Sequence, residues 1–324
     1  MIYVHLDQKD WVDLLKASAG RQDGKKFEPA LAMLAASVAA GDVVLPLSHV
    51  HYIETNQRRP FSKRVALVEL MALLSQYRTI APLWTLVRAE IRAAIATHFD
   101  SRIVTAAPQP FGLGVDHAFG TTYLRDEVQA LYQRLGEPVP SAAIDTLEWG
   151  ALAGHPDHDS DKAHPIDKMK REISERVEAT ERVRKLRTSA GYHRGPKSRD
   201  VAHAQAFLSW QDEIIDAFQE AGVDRVPFGN KKGINWFLEN IPTMAADAEL
   251  RRLKEETTQG PWTINDFRDI ESLCVAVVYA DVVVTEKSWT AMIRRSGLDH
   301  RFGTTVIDSV TELPEVLVTA TRTA

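Results

Sequence analysis

Five acids stand out by where they fall relative to apolar runs. Asp7 follows IYVHL, Glu54 closes HVHYIE, Asp266 and Asp269 lie in NDFRDIE, and Glu286 follows VVVT. Carboxylates gathered within about 5 Å repel and raise one another's pKa unless a cation neutralises them. Oxygen-only ligands that keep some water are the chemistry of Mg²⁺ or Mn²⁺ and not of zinc. Apart, the same acids read as helix caps, dipole-favoured first-turn residues or surface groups. The chemistry therefore depends on whether the chain delivers them to one place.

The elements that would position them follow from apolar spacing. Residues 2–6 read as a strand, and QKDWVDLLKAS has Trp11, Leu14 and Leu15 at helical spacing. PALAMLAASVAAG reads as an Ala-rich helix closed by Gly41, and DVVLPL as a second strand. Ser48 is placed to cap HVHYIETN, and a longer helix runs from Pro60 to Gln76. Near the C-terminus the spacing predicts a helix over 263–279, the strand VVVT, the helix SWTAMIRRSG, the strand TTVID and a closing helical element. Strands alternating with returning helices predict an α/β fold with a central parallel sheet of about four strands.

Between Arg102 and Gly260 the pattern changes to Pro/Gly-rich loops and charged helices without a convincing strand. The expected organisation is a core formed by residues 1–100 and 261–324, with a large all-helical insertion over 101–260. Within the insertion, Ile166, Met169, Ile173, Val177, Val183 and Leu186 fall on one helical face, suited to a cap or a partner surface, with plain core packing the more ordinary use of such a face.

Parallel sheets present their strand C-termini and the N-termini of the returning helices on one edge, where open α/β folds place their sites. Asp7, Glu54, Asp266, Asp269 and Glu286 all map to that edge, whereas Asp281 maps to the opposite end. The set HLDQ, LPLSHVHYIE, NDFRDIE and VVVTEK resembles PIN-domain nucleases over roughly residues 1–80 and 261–310. It departs from them in a final glutamate where aspartate is usual and in a larger insertion. The resemblance implies an endoribonuclease hydrolysing phosphodiester bonds, RNA rather than DNA, with Mg²⁺ or Mn²⁺ held by Asp7, Glu54, Asp269 and Glu286, and Asp266 beside them. It implies products with 5′-phosphate and 3′-hydroxyl, and by analogy a toxin–antitoxin or phage-defence role. The alternative, from another class, is a PIN-like scaffold without catalysis that binds a protein or nucleic acid through its insertion.

An RNA strand needs a basic track. Arg58, Arg59, Lys63 and Arg64 follow Glu54, Lys287 follows Glu286, and YHRGPKSR supplies Arg194 and Lys197. The net charge of −5 gives no global basic footprint, so such contacts would have to be local. The lone Cys274 excludes an intramolecular disulfide and reads as a core thiol. No leader or membrane-spanning run is legible, which predicts a cytoplasmic protein without a membrane partner. An antitoxin-like protein partner on the insertion and a homo-oligomer are both compatible with this reading. HPDHDSDKAH has histidines without a closed zinc template, and FGNKKG and FGLGVDHAFG miss the P-loop and dinucleotide spacings.

Overall fold

The computed structural model describes residues 1–99, 105–154, 175, 177–186, 189, 196–223, 230–257 and 261–323. HPDHDSDKAH and Arg194 fall outside these residues, as do Ile166, Met169 and Ile173 of the predicted amphipathic face.

Four short strands form a parallel sheet in the order β2-β1-β5-β6, with β1 Ile2–Leu6, β2 Val43–Val44, β5 Val282–Val284 and β6 Thr305–Ile307. Helices flank it, so the α/β class and the four parallel strands expected from the sequence are present. β1 and β5 are buried on both faces: Val4, Val283 and Val284 are completely inaccessible, and Leu6 and Val282 nearly so. Such valine-rich runs suit a parallel sheet covered on both sides, each buried side chain contributing roughly 1.5–3 kcal/mol. Asp281 closes the strand-entry edge: its Oδ2 accepts the Tyr3 amide at 2.7 Å, and its backbone pairs with Tyr3 and Thr305.

The sequence reading had no strand between residues 101 and 260, and here the structure differs. β4, Phe111–Leu113, pairs antiparallel with β3, Arg78–Ile80, in the register Arg78↔Leu113, Thr79↔Gly112 and Ile80↔Phe111. Leu47 bridges β3 in parallel, its amide donating to Arg78 O at 2.8 Å and its carbonyl accepting from Ile80 N at 3.0 Å. Three-residue strands are too short to show alternation, and this pair is joined only through a long excursion.

Backbone contacts divide the chain into two compact units. The first contains Met1–Pro82, Phe111–Asp161 and Tyr279–Ala324, and the second contains Leu83–Pro110 and Lys162–Val278. Both sheets belong to the first. In the second, the helices Leu83–His98, Pro196–Ser209, Gln211–Ala221, Lys231–Asn240 and Pro242–Thr257 pack with most of Ile264–Tyr279. Buried Glu90 accepts the amide of Thr243 at 3.0 Å and also its hydroxyl, satisfying donors at the start of Pro242–Thr257. Arg92 pairs in a fork with Glu220 at 2.9 and 3.0 Å. Cys274 is completely buried, as a core thiol should be, and burial pushes its pKa up.

Candidate functional site

The register of the parallel sheet fixes which residues emerge together. Leu6 pairs with Val284, and Val284 with Ile307. The Asp7 amide donates to Val284 O at 3.0 Å, and the Thr285 amide to Ile307 O at 3.1 Å. Asp7, Thr285–Glu286 and Asp308 are therefore the next residues of three adjacent strands on one edge.

Asp7 and Glu286 share a second property. Each is the N-cap of the helix that follows, Gln8–Ser18 and Lys287–Ser296, with extended backbone. Neither side chain makes a capping hydrogen bond. An N-cap aspartate usually spends its carboxylate on the N2 or N3 amide; Glu286 makes no such capping bond, and Asp7 makes none of capping geometry, its carboxylate facing the Gln8 and Lys9 amides at a positive helix end. The pKa of Asp7 is raised, first by burial and then by the charge of Glu286, against the opposing Gln8 and Lys9 amides and the Lys9 ammonium. The charge of Glu286 thus reaches Asp7.

Beneath them lies an acid that the sequence reading passed over. Asp10, in the first turn after Asp7, is 1% exposed, and neither of its carboxylate oxygens has a hydrogen-bond partner among the described residues. Lys9 Nζ stands 3.6 Å away, and the Val310 amide faces the group. Burial, opposed by Lys9 and reinforced by Asp7, pushes its pKa up to about 7. From sequence a first-turn acid looks like a dipole-favoured surface residue; its depth follows from packing that no local pattern encodes.

The helix His49–Gln57 is tied to this edge by His51. Its Nδ1 accepts the Ser48 amide at 2.9 Å, so Nε2 carries the proton and donates to Leu6 O at 2.8 Å. With the Ser48 side chain this completes a capping box in which histidine stands where Glu or Gln is usual. His51 is completely inaccessible to charge at neutral pH, its pKa pushed down to about 4 by burial, and His5 beside it to about 3 for the same reason. Thr55 Oγ1 accepts from Gln8 Nε2 at 3.0 Å. Half-buried Glu54 therefore neighbours a residue that touches the one after Asp7.

Asp266 and Asp269 belong to the second unit. Asp266 is occupied there: its Oδ2 accepts the amide and hydroxyl of Thr263, both at 2.8 Å, while Thr263 Oγ1 accepts the Asp266 amide at 3.2 Å. This is a capping box for Ile264–Tyr279, and Lys254 Nζ adds an ion pair at 2.5 Å. Asp269 is half-buried on the same helix.

Of the predicted phosphate contacts, Arg59, Lys63 and Lys287 are exposed and Arg58 is half-buried. Arg64 corrects the sequence reading: it is completely buried, with its guanidinium on Asn56 O and 4.7 Å from the Phe61 ring centroid, so it cannot reach a nucleic acid. In KR, the second residue turned inward, its stem packed in the core and one terminal nitrogen on a carbonyl, while its Nε has no hydrogen-bond partner among the described residues. Lys197 is exposed on the helix Pro196–Ser209, in the second unit. Trp289 is buried in the core and unavailable for stacking a base.

Among the described residues, no group of three or more His, Cys, Asp or Glu side chains is gathered closely enough to hold a metal ion. The donors on the edge are nonetheless all oxygen, and Asp7 sits where added positive charge would relieve both its burial and its repulsion from Glu286. Mg²⁺ is commonly held by one or two carboxylates, with water and substrate phosphate completing its shell, so the chemistry of the pair fits such an ion. No helix among the described residues is long and apolar enough to cross a membrane. Comparison with protein-family models, with curated proteins and with solved structures returns no match.

Proposed function

We propose that the edge bearing Asp7 and Glu286 is the active site of a PIN-like, divalent-cation-dependent endoribonuclease. One observation carries this reading: two N-cap carboxylates emerge from adjacent parallel strands, and neither closes a side-chain capping hydrogen bond. Asp7 and Glu286 are the proposed holders of the ion, with Glu54 on the neighbouring helix. Asp269 enters on the sequence resemblance alone. Mg²⁺ or Mn²⁺, when bound, supplies Lewis-acid activation of water and neutralises charge developing in an in-line displacement at phosphorus. The chain's own contribution is to hold two acids fixed by the strand ladder at the positive ends of two helices, and to offer Arg59, Lys63 and Lys287 as exposed cations for the strand.

The rival reading, a partner-binding scaffold without catalysis, is favoured by the absence of a three-residue donor group among the described residues. Thermal melting separates the two. A cation bound only by the folded protein at roughly 100 times its Kd stabilises it by about 2.7 kcal/mol. The nuclease reading expects Mn²⁺ or Mg²⁺ to raise the melting temperature of the wild type but not of Asp7→Asn, and the wild type to cleave RNA only with the ion present. A wild type that neither shifts nor cleaves with either ion supports the scaffold and sinks the nuclease.

A further inference from the structure

The second unit carries a half-open cavity of about 700 Å³ whose described lining comes entirely from its own residues. That volume lies in the range of small-molecule sites. Its apolar wall is aromatic: Trp84 and Trp210 are half-buried, and Trp262 packs on Phe267 with ring centroids 5.1 Å apart.

The polar groups differ in how completely they are used. Arg252 spends Nε and both terminal nitrogens on Glu249 and Glu256. Arg88 reaches Glu213 at 3.1 Å. Arg251 is held but not saturated. Its Nε donates to both oxygens of Asp247 at 2.8 and 2.9 Å, and its guanidinium carbon lies 5.0 Å from the Phe267 centroid. Neither of its terminal nitrogens makes a hydrogen bond among the described residues, and the side chain is 23% exposed. A guanidinium fixed at one edge and stacked on one face presents its remaining donors at no further conformational cost, the arrangement that suits two-point recognition of a planar anion.

We propose that this cavity binds an aromatic anion, a planar ring bearing a carboxylate or a phosphate, with the anionic group on the terminal nitrogens of Arg251 and the ring against the tryptophans. Asp247 restrains the guanidinium and, with Glu271 nearby, offsets part of its charge, so recognition depends on hydrogen-bond geometry and stacking together, and a non-aromatic anion lacks the stacking. The inference is independent of the nuclease reading, since it uses no residue of the sheet edge.

Titration calorimetry and tryptophan fluorescence on the full chain test it with matched probes. These are a nucleoside monophosphate against its nucleoside, indole-3-acetate against indole, and inorganic phosphate and acetate alone. The expected result is saturable binding of at least one aromatic anion, with its neutral counterpart weaker by about tenfold or more, as for loss of a charge-assisted hydrogen bond. Arg251→Met should lose that difference and Arg251→Lys should recover part of it. Binding by the phosphate series alone identifies a nucleotide-like ligand, and binding by the carboxylate series alone an aromatic acid. The wild-type comparison decides the charge requirement even where a variant folds poorly. Absence of saturable binding by any aromatic anion, or equal binding of the neutral counterparts, overturns the proposal, as does a folded Arg251→Met that binds like the wild type.

Discussion

Asp266 in the helical unit and the pair Asp7 and Glu286 in the sheet unit all stand at helix starts, yet the chain treats them differently. Asp266 is third in its helix and is consumed by Thr263 and Lys254. Asp7 and Glu286 sit one step outside their helices, and neither closes a capping hydrogen bond, the Asp7 carboxylate only facing the Gln8 and Lys9 amides. A carboxylate that closes a capping box is stabilised by the fold. One that closes no cap is tolerated by it, and Asp7, buried first and then beside Glu286, has its pKa raised. Helix-start position alone does not separate the two cases; the fate of the oxygens does.

Four substitutions sharpen or break this contrast. The largest effect is expected from Asp7→Asn, which should lower cation-dependent RNA cleavage by on the order of 10³ while leaving the melting temperature in the absence of cation equal or higher. A variant that cleaves like the wild type would dissolve the contrast at its centre.

Next is Asp10→Asn. The folded-state pKa of about 7 lies above the ordinary 3.8, so folding favours the protonated acid. The stabilising contribution is fully present below about pH 4 and is lost as the pH rises through 7. The amide should therefore raise stability at pH 8, on the order of 4 kcal/mol at most, and change little near pH 4. Urea unfolding at the two pH values measures it, and an equal effect at both would contradict the assignment.

Asp266→Ala, by contrast, should cost about 1–3 kcal/mol near neutral pH through loss of the box and the ion pair. Its cleavage per folded molecule should stay within a few-fold of the wild type; a collapse of activity in a folded Asp266→Ala would return that residue to the site. The smallest effect belongs to Lys287→Ala, expected to reduce the salt dependence of RNA binding by about one in log–log slope with no loss of stability. An unchanged slope removes Lys287 from the strand's path.

These contrasts also mark what could be read in the sequence. Strand IYVHL, the helix after it, the Ser48 cap and the helix Ile264–Tyr279 were legible because periodicity and capping chemistry are local. The alignment of Asp7 with Glu286 was legible because a valine run must be a covered parallel strand, and such strands share an edge. Asp10, His51 and Arg64 were not, since each is defined by what lies across space from it: the Val310 backbone, Leu6 O and Asn56 O. Asp308 escaped notice because its strand is only three residues long and the acid follows a run already credited to the sheet. Asp266 was misleading for the opposite reason, since the capping signature Thr-x-x-Asp was present in TIND and was outweighed by the attraction of Asp269 nearby.

The β3–β4 pair closes a loop in the chain. Ile80 and Phe111 face each other on the same rung, so the polypeptide departs and returns at neighbouring positions. Since the ladder already pins both ends, lengthening the excursion adds only a slowly growing closure entropy. Sequence can be gained, exchanged or trimmed beyond that rung while the strands that align Asp7 with Glu286 keep their register. The two-stranded ladder is in this sense a graft junction for residues 81–110, a place where the chain tolerates a longer or shorter loop without disturbing the acidic edge.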